Sequence, residues 1–260
     1  VDFHSHLMPG VDDGASNLDE SRAALLAFQE EGVVAAVTTP HLKGSLTKRP
    51  EELERRLDEL DRAWQCVSTM ASKEFPGIDF HRGVEMMLDT PDPDVSDARL
   101  RLAGGPFVLV EFPFMSVPPR STNVLSKLCR QGWVPIVAHP ERYQGLDREV
   151  NLPGEWRAAG AYLQVNGASL IGRYGPEAQR VAMQLLSRGW VDYLSSDYHA
   201  RGQPRIASAR RLLSELGGAE QVHLLTEINP GRVVQGAAPL PVPPFHPKRG
   251  FLKRLKSLFR

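Results

Sequence analysis

Two histidines one residue apart open the chain in DFHSHLMPGVDDG, and two aspartates follow a short loop later. Imidazole and carboxylate bind borderline-to-hard divalent ions, and on a strand the i, i+2 spacing turns His4 and His6 to one face, where one ion could take both. The pattern recurs. His41 stands in TTPHL, Glu85 in HRGVEM, Glu111 in VLVEFPF, His139 in IVAHPERY, and Asp197 and His199, again two apart, in YLSSDYH. With Asp13 these make nine nitrogen and oxygen ligands, too many for one ion and suited to two or three with a carboxylate bridging. A histidine taken alone at a strand end is more often a core or capping residue than a ligand. Five of the eight histidines, however, end apolar runs beside Asp or Glu, whereas His81, His223 and His246 do not. Burying so many ionisable groups uncompensated is costly, and metal ions neutralise such a set. Manganese, iron and zinc suit these ligands better than copper or an iron–sulfur cluster. Ions so grouped activate water, grip a phosphoryl oxygen and stabilise in-line displacement. Arg142 in HPERY, and Arg201 or Arg205 after the last ligand pair, offer planar forks for the remaining phosphate oxygens. Surface exposure is the default for Arg201.

The elements that must position these residues show in the apolar pattern. Short β-type runs at 1–3, 33–38, 78–80, 107–110, 135–138, 162–165, 193–195 and 222–225 alternate with helical periodicity at 18–31, 51–74, 123–131, 177–188 and 206–216. Strand then helix, repeated about seven times, predicts a parallel α/β sheet, which a TIM-like barrel accommodates more simply than an open doubly wound sheet. Every candidate ligand after the opening loop then falls at the carboxyl end of a strand, the face on which barrels carry their sites.

Bulk composition excludes other classes. Lys+Arg and Asp+Glu are equal at 31 each, so no global basic field attracts nucleic acid. Cys66 and Cys129 lie outside any CxxC spacing, which argues against a disulfide framework or a thiolate zinc site. No apolar run reaches membrane-spanning length, and Asp2 and His4 interrupt the start where a signal peptide needs basic then apolar residues; a cytoplasmic protein is expected. After Gly236 the proline-rich AAPLPVPPFHP reads as a connector leaving the barrel, so the expected division is a barrel over 1–236 and a connector with a tail over 237–260. The tail sets Phe251, Leu252, Leu255, Leu258 and Phe259 against Lys253, Arg254, Lys256 and Arg260. Residues 248–260 could therefore lie on the inner face of an anionic membrane or dock on a partner, the alternatives being a frayed end or a helix packed on the barrel.

The motifs DFHSHLMPGVDDGA, TTPH, GVEM, VEFP, AHPERY, VNGASL, SSDYH and EINPGRVVQG run in order from residue 2 to about 236. In them the chain resembles the PHP (polymerase and histidinol phosphatase) superfamily, and within it the bacterial manganese-dependent protein-tyrosine phosphatases of capsule and exopolysaccharide biosynthesis loci. The resemblance implies a distorted (β/α)7 barrel with three divalent ions, manganese first and iron or zinc as alternatives. His4, His6, Glu111 and Asp197 would hold one ion; Glu85, Glu111 and His139 a second, with Glu111 shared; Asp13, His41 and His199 a third. Asp12 is left as a loop residue or a support for its neighbours. The substrate implied is phosphotyrosine in the C-terminal tail of a bacterial tyrosine kinase. Arg142 would bind phosphate, with Arg205 as the second arginine and Arg201 its rival, because DYHARGQPRIA is shorter than the family spacing. No cysteine nucleophile is required. His41 or His199 would protonate the leaving phenolate, which with a pKa near 10 needs little help. Two rivals stand beside this reading. One is a small-molecule phosphoesterase of the histidinol-phosphate type; the other is a non-catalytic binding module, against which nine ligands argue, since a structural site closes with fewer.

Overall fold

The computed structural model describes residues 1–149 and 151–247. Local sequence explains its helices. Asn17 caps α1 (Leu18–Glu30), its Oδ1 accepting from the N–H groups of Asp19 and Glu20 at 3.0 Å. In α2 (Pro50–Glu74) Leu57, Leu60, Ala63, Val67, Met70 and Ala71 form a buried stripe at three- and four-residue spacing. Around these run β1 (Ala35–Thr38), β2 (His41–Lys43), β3 (Asp79–Arg82), β4 (Glu85–Met87) and β5 (Phe107–Glu111). Then come α3 (Ser121–Arg130), β6 (Val134–Ala138), α4 (Leu152–Ala158), β7 (Tyr162–Asn166), α5 (Gly167–Leu170), α6 (Gly175–Ser187) and β8 (Tyr193–Ser195). Three helices close the body: α7 (Ile206–Glu215), α8 (Ala219–His223) and α9 (Asn229–Val234).

All ladders are parallel, as the alternation predicts. Six strands form one sheet in the order β2-β4-β5-β6-β7-β8, and β1 pairs with β3 in another. Pro40, which has no N–H, separates β1 from β2, yet bonding continues across the gap from Gly83 N to Thr38 O (3.0 Å) and from Glu85 N to Pro40 O (3.1 Å). The expected first strand is reduced to isolated bridges, Asp2 with Ala36 and Ser5 with Tyr198. The assigned ladders are thus two parallel sheets in an α/β fold, and they do not form one closed ring.

Two apolar clusters lie on either side of this wall. Phe3, Val37, Phe107, Leu109, Ile136 and Tyr193 pack inside with Val233 of α9, while Val108, Val110, Val137, Leu163 and Leu194 pack outside among the helices. All five residues of β5 are buried because both faces are covered. Alternation then decides which side chain looks inward at each strand end.

Two readings change. The run at 222–225 is not a strand but the junction of α8 with a π-helical turn, Leu224–Ile228, where Val222, Leu225 and Thr226 bury at helical spacing. Four apolar residues carry too little periodicity to tell the two apart. The proline-rich segment also stays on the body. Phe245 is buried in the outer cluster and its N–H donates to Leu186 O at 2.9 Å, while Asn229 Oδ1 accepts from Leu240 N at 2.8 Å. Proline forbids helix and ladder but not an extended strap, and burying one Phe contributes about 1.5–3 kcal/mol. The basic tail at 248–260 lies outside the described residues. No described helix is long and apolar enough to cross a membrane.

Candidate metal centre

At the carboxyl ends of β5, β6 and β8, and at the first residues of β2 and β4 rather than at their carboxyl ends, the inner face turns from apolar to polar. Val84 and Met86 join the outer cluster, so Glu85 between them faces inward; Glu111 continues the inward parity of Phe107 and Leu109. His41 stands directly across from Glu85 in the β2–β4 register, and Glu111 across from Met87 in the β4–β5 register. Glu111 therefore sits two residues, about 6–7 Å, farther along than Glu85. His139 follows inward Ala138 and by alternation would point outward. Its backbone instead adopts φ 34°, ψ 52°, a left-handed conformation costly for histidine, and its Nε2 lies 2.9 Å from Glu85 Oε1.

The nine expected ligands converge. Glu85 Oε2 lies 3.1 Å from His4 Nε2, 3.4 Å from His6 Nε2 and 3.2 Å from His41 Nδ1. Asp197 Oδ1 lies 3.3 and 3.4 Å from the same two nitrogens of His4 and His6. Glu111 Oε1 is 3.3 Å from His41 Nδ1, and Asp13 Oδ1 is 3.4 Å from both His41 Nε2 and His199 Nε2. The His6 and His199 rings stack with centroids 4.0 Å apart. Three groups could each hold an ion: His4, His6, Glu85 and Asp197; His41, Glu85 and Glu111; and His6, Asp13, His41 and His199. Glu85 is common to two of these groups, where the resemblance implied that Glu111 is shared; the register sets Glu111 farther along the wall. His139 reaches Glu85 alone among the carboxylates.

The fit to a cation can be tested on the buried atoms. His4 Nε2, His6 Nε2, His41 Nδ1 and Glu85 Oε2 have no hydrogen-bond partner among the described residues, although each is buried and aimed at the others. Leaving so many polar atoms unsatisfied costs about 1–3 kcal/mol each, which a coordinated ion would remove. The opposite ring nitrogens are fixed. His4 Nδ1 donates to Gln164 Oε1 at 2.9 Å and His6 Nδ1 to Asp12 Oδ2 at 2.8 Å, which leaves both Nε2 atoms free to ligate.

Without a metal, protons do the compensating. Burial opposes a charged imidazole, yet Glu85 and Asp197 beside it prevail and raise His4 to about 9. His6 is raised well above its ordinary value against the same burial, through Asp12, Asp197 and Glu85. Burial would lift Glu85 and Asp197, but the imidazoles hold both well below the usual carboxylate range. A histidine raised in the folded state stabilises it fully below its unfolded pKa of about 6.5, and that stability is lost as pH rises through the folded value. Metal-free protein should therefore lose thermal stability between pH 6.5 and about 9. Manganese-loaded protein should instead weaken on acidification, as protons compete for its ligands. Melting curves of both forms at pH 6.5, 7.5 and 9 check this; a flat or rising profile for the metal-free form would contradict the ion-pair account.

At the edge of the cluster Arg142 Nη1 donates to Asp197 Oδ2 at 2.6 Å, with its guanidinium 4.2 Å from the Tyr174 ring centroid. Arg205 is not drawn in by its side chain. It sits in a left-handed conformation before α7, its backbone N–H donating to Glu31 Oε1 at 3.0 Å, and neither it nor Arg201 makes an ion pair with the cluster among the described residues. The ligand set, its orphaned atoms and this arginine are of the kind that metal-assisted phosphate chemistry uses. A family model described as capsular polysaccharide synthesis, CpsB/CapC, matches residues 1–235. The chain belongs to the CpsB/CapC family.

Relatives of this CpsB/CapC chain carry informative names. The tyrosine-protein phosphatase YwqE of Bacillus subtilis (strain 168) is 25% identical over 230 residues, covering 87% of this chain and 89% of its own. The tyrosine-protein phosphatase CpsB of Streptococcus agalactiae is 26% identical over 238 residues, covering 86% and 94%. A crystal structure from work on YwqE and on CpsB of Streptococcus pneumoniae, described there as unique metal-dependent tyrosine phosphatases, superposes with a TM-score of 0.74 at 24% identity, over 94% of this chain and 99% of that one. It shows a shared fold.

Behind the ligands lies a polar layer that residue-by-residue reading of the CpsB/CapC motifs did not assign. Gln164 Nε2 donates to Asn166 Oδ1 (2.8 Å), Asn166 Nδ2 to Asp197 Oδ2 (2.8 Å), and Glu141 Oε1 accepts from Asn166 N (2.9 Å) and Ser169 Oγ (2.6 Å). Gln164 and Asn166 repeat the i, i+2 strand-end spacing of the histidines, which was the available signal in QVNGASL.

Proposed function

We propose that this chain is a metal-dependent protein-tyrosine phosphatase acting on a bacterial tyrosine kinase of capsule or exopolysaccharide synthesis. The observation that carries the reading is the convergence of orphaned imidazole and carboxylate atoms at the strand mouth, with Arg142 fixed at their edge. The names of the family relatives support phosphotyrosine as the ester. His4, His6, Glu85 and Asp197 would hold one ion, Glu85, Glu111 and His139 a second, and Asp13, His41 and His199 a third. Manganese is the first candidate, iron and zinc the alternatives. Bound ions of this kind supply Lewis acidity toward a phosphoryl oxygen and a water acidic enough to attack near neutral pH.

The chain's own residues bind and orient. Asp197 and the Tyr174 ring hold the Arg142 guanidinium, which grips non-bridging phosphate oxygens through its planar fork. Arg205 is the second cation of this reading, with Arg201 its rival. His41 or His199, both partly exposed and near Asp13, could protonate the departing phenolate oxygen only while not ligating an ion, and with a pKa of about 10 that oxygen needs little help. Cys129 takes no part; burial pushes its thiol up, opposite to what a nucleophile requires. The bridges of residues 2–5 to β1 and to the segment after β8 support a distorted (β/α)7 barrel whose wall is completed by the opening segment. In this reading the barrel spans 1–236 in the cytoplasm, and residues 248–260 address it to the inner membrane face.

The test is hydrolysis of a phosphotyrosine kinase-tail peptide by manganese-loaded and chelator-stripped protein, with histidinol phosphate in parallel. Expected are peptide turnover lost on stripping and unaffected by Cys129→Ser, and about 10²–10³-fold lower kcat for Arg142→Ala, with a smaller loss for Arg205→Ala. Removing 248–260 should abolish binding to anionic vesicles and spare turnover. Preference for histidinol phosphate, or turnover that survives stripping, would overturn the reading.

A further inference from the structure

We infer that the cavity beside the cluster, between β2 and the turn after β5, receives the aromatic ring of the phosphate ester, with Phe114 as its outer wall. The inference rests on the phosphatase reading and adds to it how an aryl ester is told from an alkyl one. The cavity has a volume of about 530 Å³, within the usual range for ligand pockets, and is far larger than a phosphate needs. His41 and Glu111 line it at the cluster, Leu46, Met87, Phe114 and Met115 give it an apolar wall, and Lys43 and Arg56 add two cationic side chains. It is therefore continuous with the candidate ligands. Arg142 lies on the other side, after β6 and bonded to Asp197 beyond β8. An ester whose non-bridging oxygens meet Arg142 has its ester oxygen and ring on the β2–β5 side, where the apolar wall is.

Phe114 is the outlier that gives the cavity its purpose. It is 89% exposed, the most exposed large hydrophobic residue among those described, and stands three residues after Glu111. Phe114 and Met115 both hold left-handed backbones, φ 54° and 53°, which cost non-glycine residues about 1–3 kcal/mol each. The turn is pinned in that shape: Ser116 N donates to Pro113 O at 3.0 Å and Gln144 N to Met115 O at 2.9 Å. A strained, anchored turn that presents an aromatic ring to solvent beside the apolar wall of a cavity is built to cover something flat and apolar. The tyrosyl ring of the substrate fits that place.

Calorimetric titration of manganese-loaded protein with phenylphosphonate and methylphosphonate separates ring binding from phosphate binding without turnover. Wild type should bind the phenyl compound at least about tenfold more tightly, since burying a ring gains roughly 1.4 kcal/mol or more. Phe114→Ala and the cavity-blocking Leu46→Glu should each reduce that ratio to less than about twofold, with methylphosphonate affinity held. Equal affinities in wild type, or an undiminished ratio in both variants, would overturn the cavity assignment while phosphatase activity stands. Failure of wild type to bind either phosphonate, together with failure to hydrolyse the phosphotyrosine peptide or histidinol phosphate, would overturn the phosphatase reading, and the cavity assignment with it.

Discussion

Glu85→Gln is expected to abolish metal-dependent hydrolysis, lowering kcat/KM by at least about 10³-fold, or roughly 4 kcal/mol of transition-state stabilisation. The substitution is isosteric, so packing around the fully buried side chain is kept. What changes is charge. Glu85 reaches His4, His6 and His41 with one oxygen and His139 with the other, and no other residue among those described spans as many candidate ligands. An amide there ligates weakly and presents N–H donors toward imidazoles whose lone pairs must face an ion. Metal content after desalting should fall with activity, whereas Glu111→Gln should retain more of both, since among the described candidate ligands Glu111 approaches only His41. The metal-free variant should also lose part of the pH-dependent stability between 6.5 and about 9, because Glu85 is foremost among the charges that raise His4. Full manganese content in Glu85→Gln would remove Glu85 from the centre.

Gly14→Ala is the second large effect. A Cβ at Gly14 would stand 2.1 Å from His6 O and 2.4 Å from His6 Cβ, closer than any real contact, and the atoms it meets are backbone and the root of a side chain. The loop must move off the opening segment. It would break Ala15 N to His6 O (3.0 Å) and Gly14 N to Asp12 Oδ1 (3.0 Å), and carry Asp12 from His6 and Asp13 from His41 and His199. Destabilisation of at least about 3 kcal/mol is expected, at the upper end of overpacking, with manganese affinity down by about 10²-fold or more. Gly77→Ala, where a Cβ meets nothing within 4 Å, is the control and should change neither. Equal melting temperatures and metal retention in the two variants would show that the loop adapts at no cost.

Much of the site was legible before folding because few side chains bind hard divalent ions and a strand repeats every two residues. Those two facts mark His4, His6, Glu85, Glu111, Asp197 and His199 as candidates, although alternation itself reaches only Glu85 and Glu111, since Asp197 lies beyond β8 with φ 54°; the strand–helix alternation carried the parallel α/β fold. The register between strands is a different kind of fact. It arises from pairings between distant segments, so only the tertiary structure could set His41 beside Glu85, place Glu111 two residues farther along, and make Glu85 common to two of the groups. His139 faces inward against alternation because its surroundings hold a backbone that a histidine would not choose alone. Gln164 and Asn166 escaped notice because amides neither titrate nor commonly ligate these metals, and their work is to fix neighbours that the chain brings from more than thirty residues away. The strap at 237–247 and the helix at 222–225 follow the same rule. Composition says which backbone forms a segment can take, while the surface left open by the rest of the chain decides which one is buried.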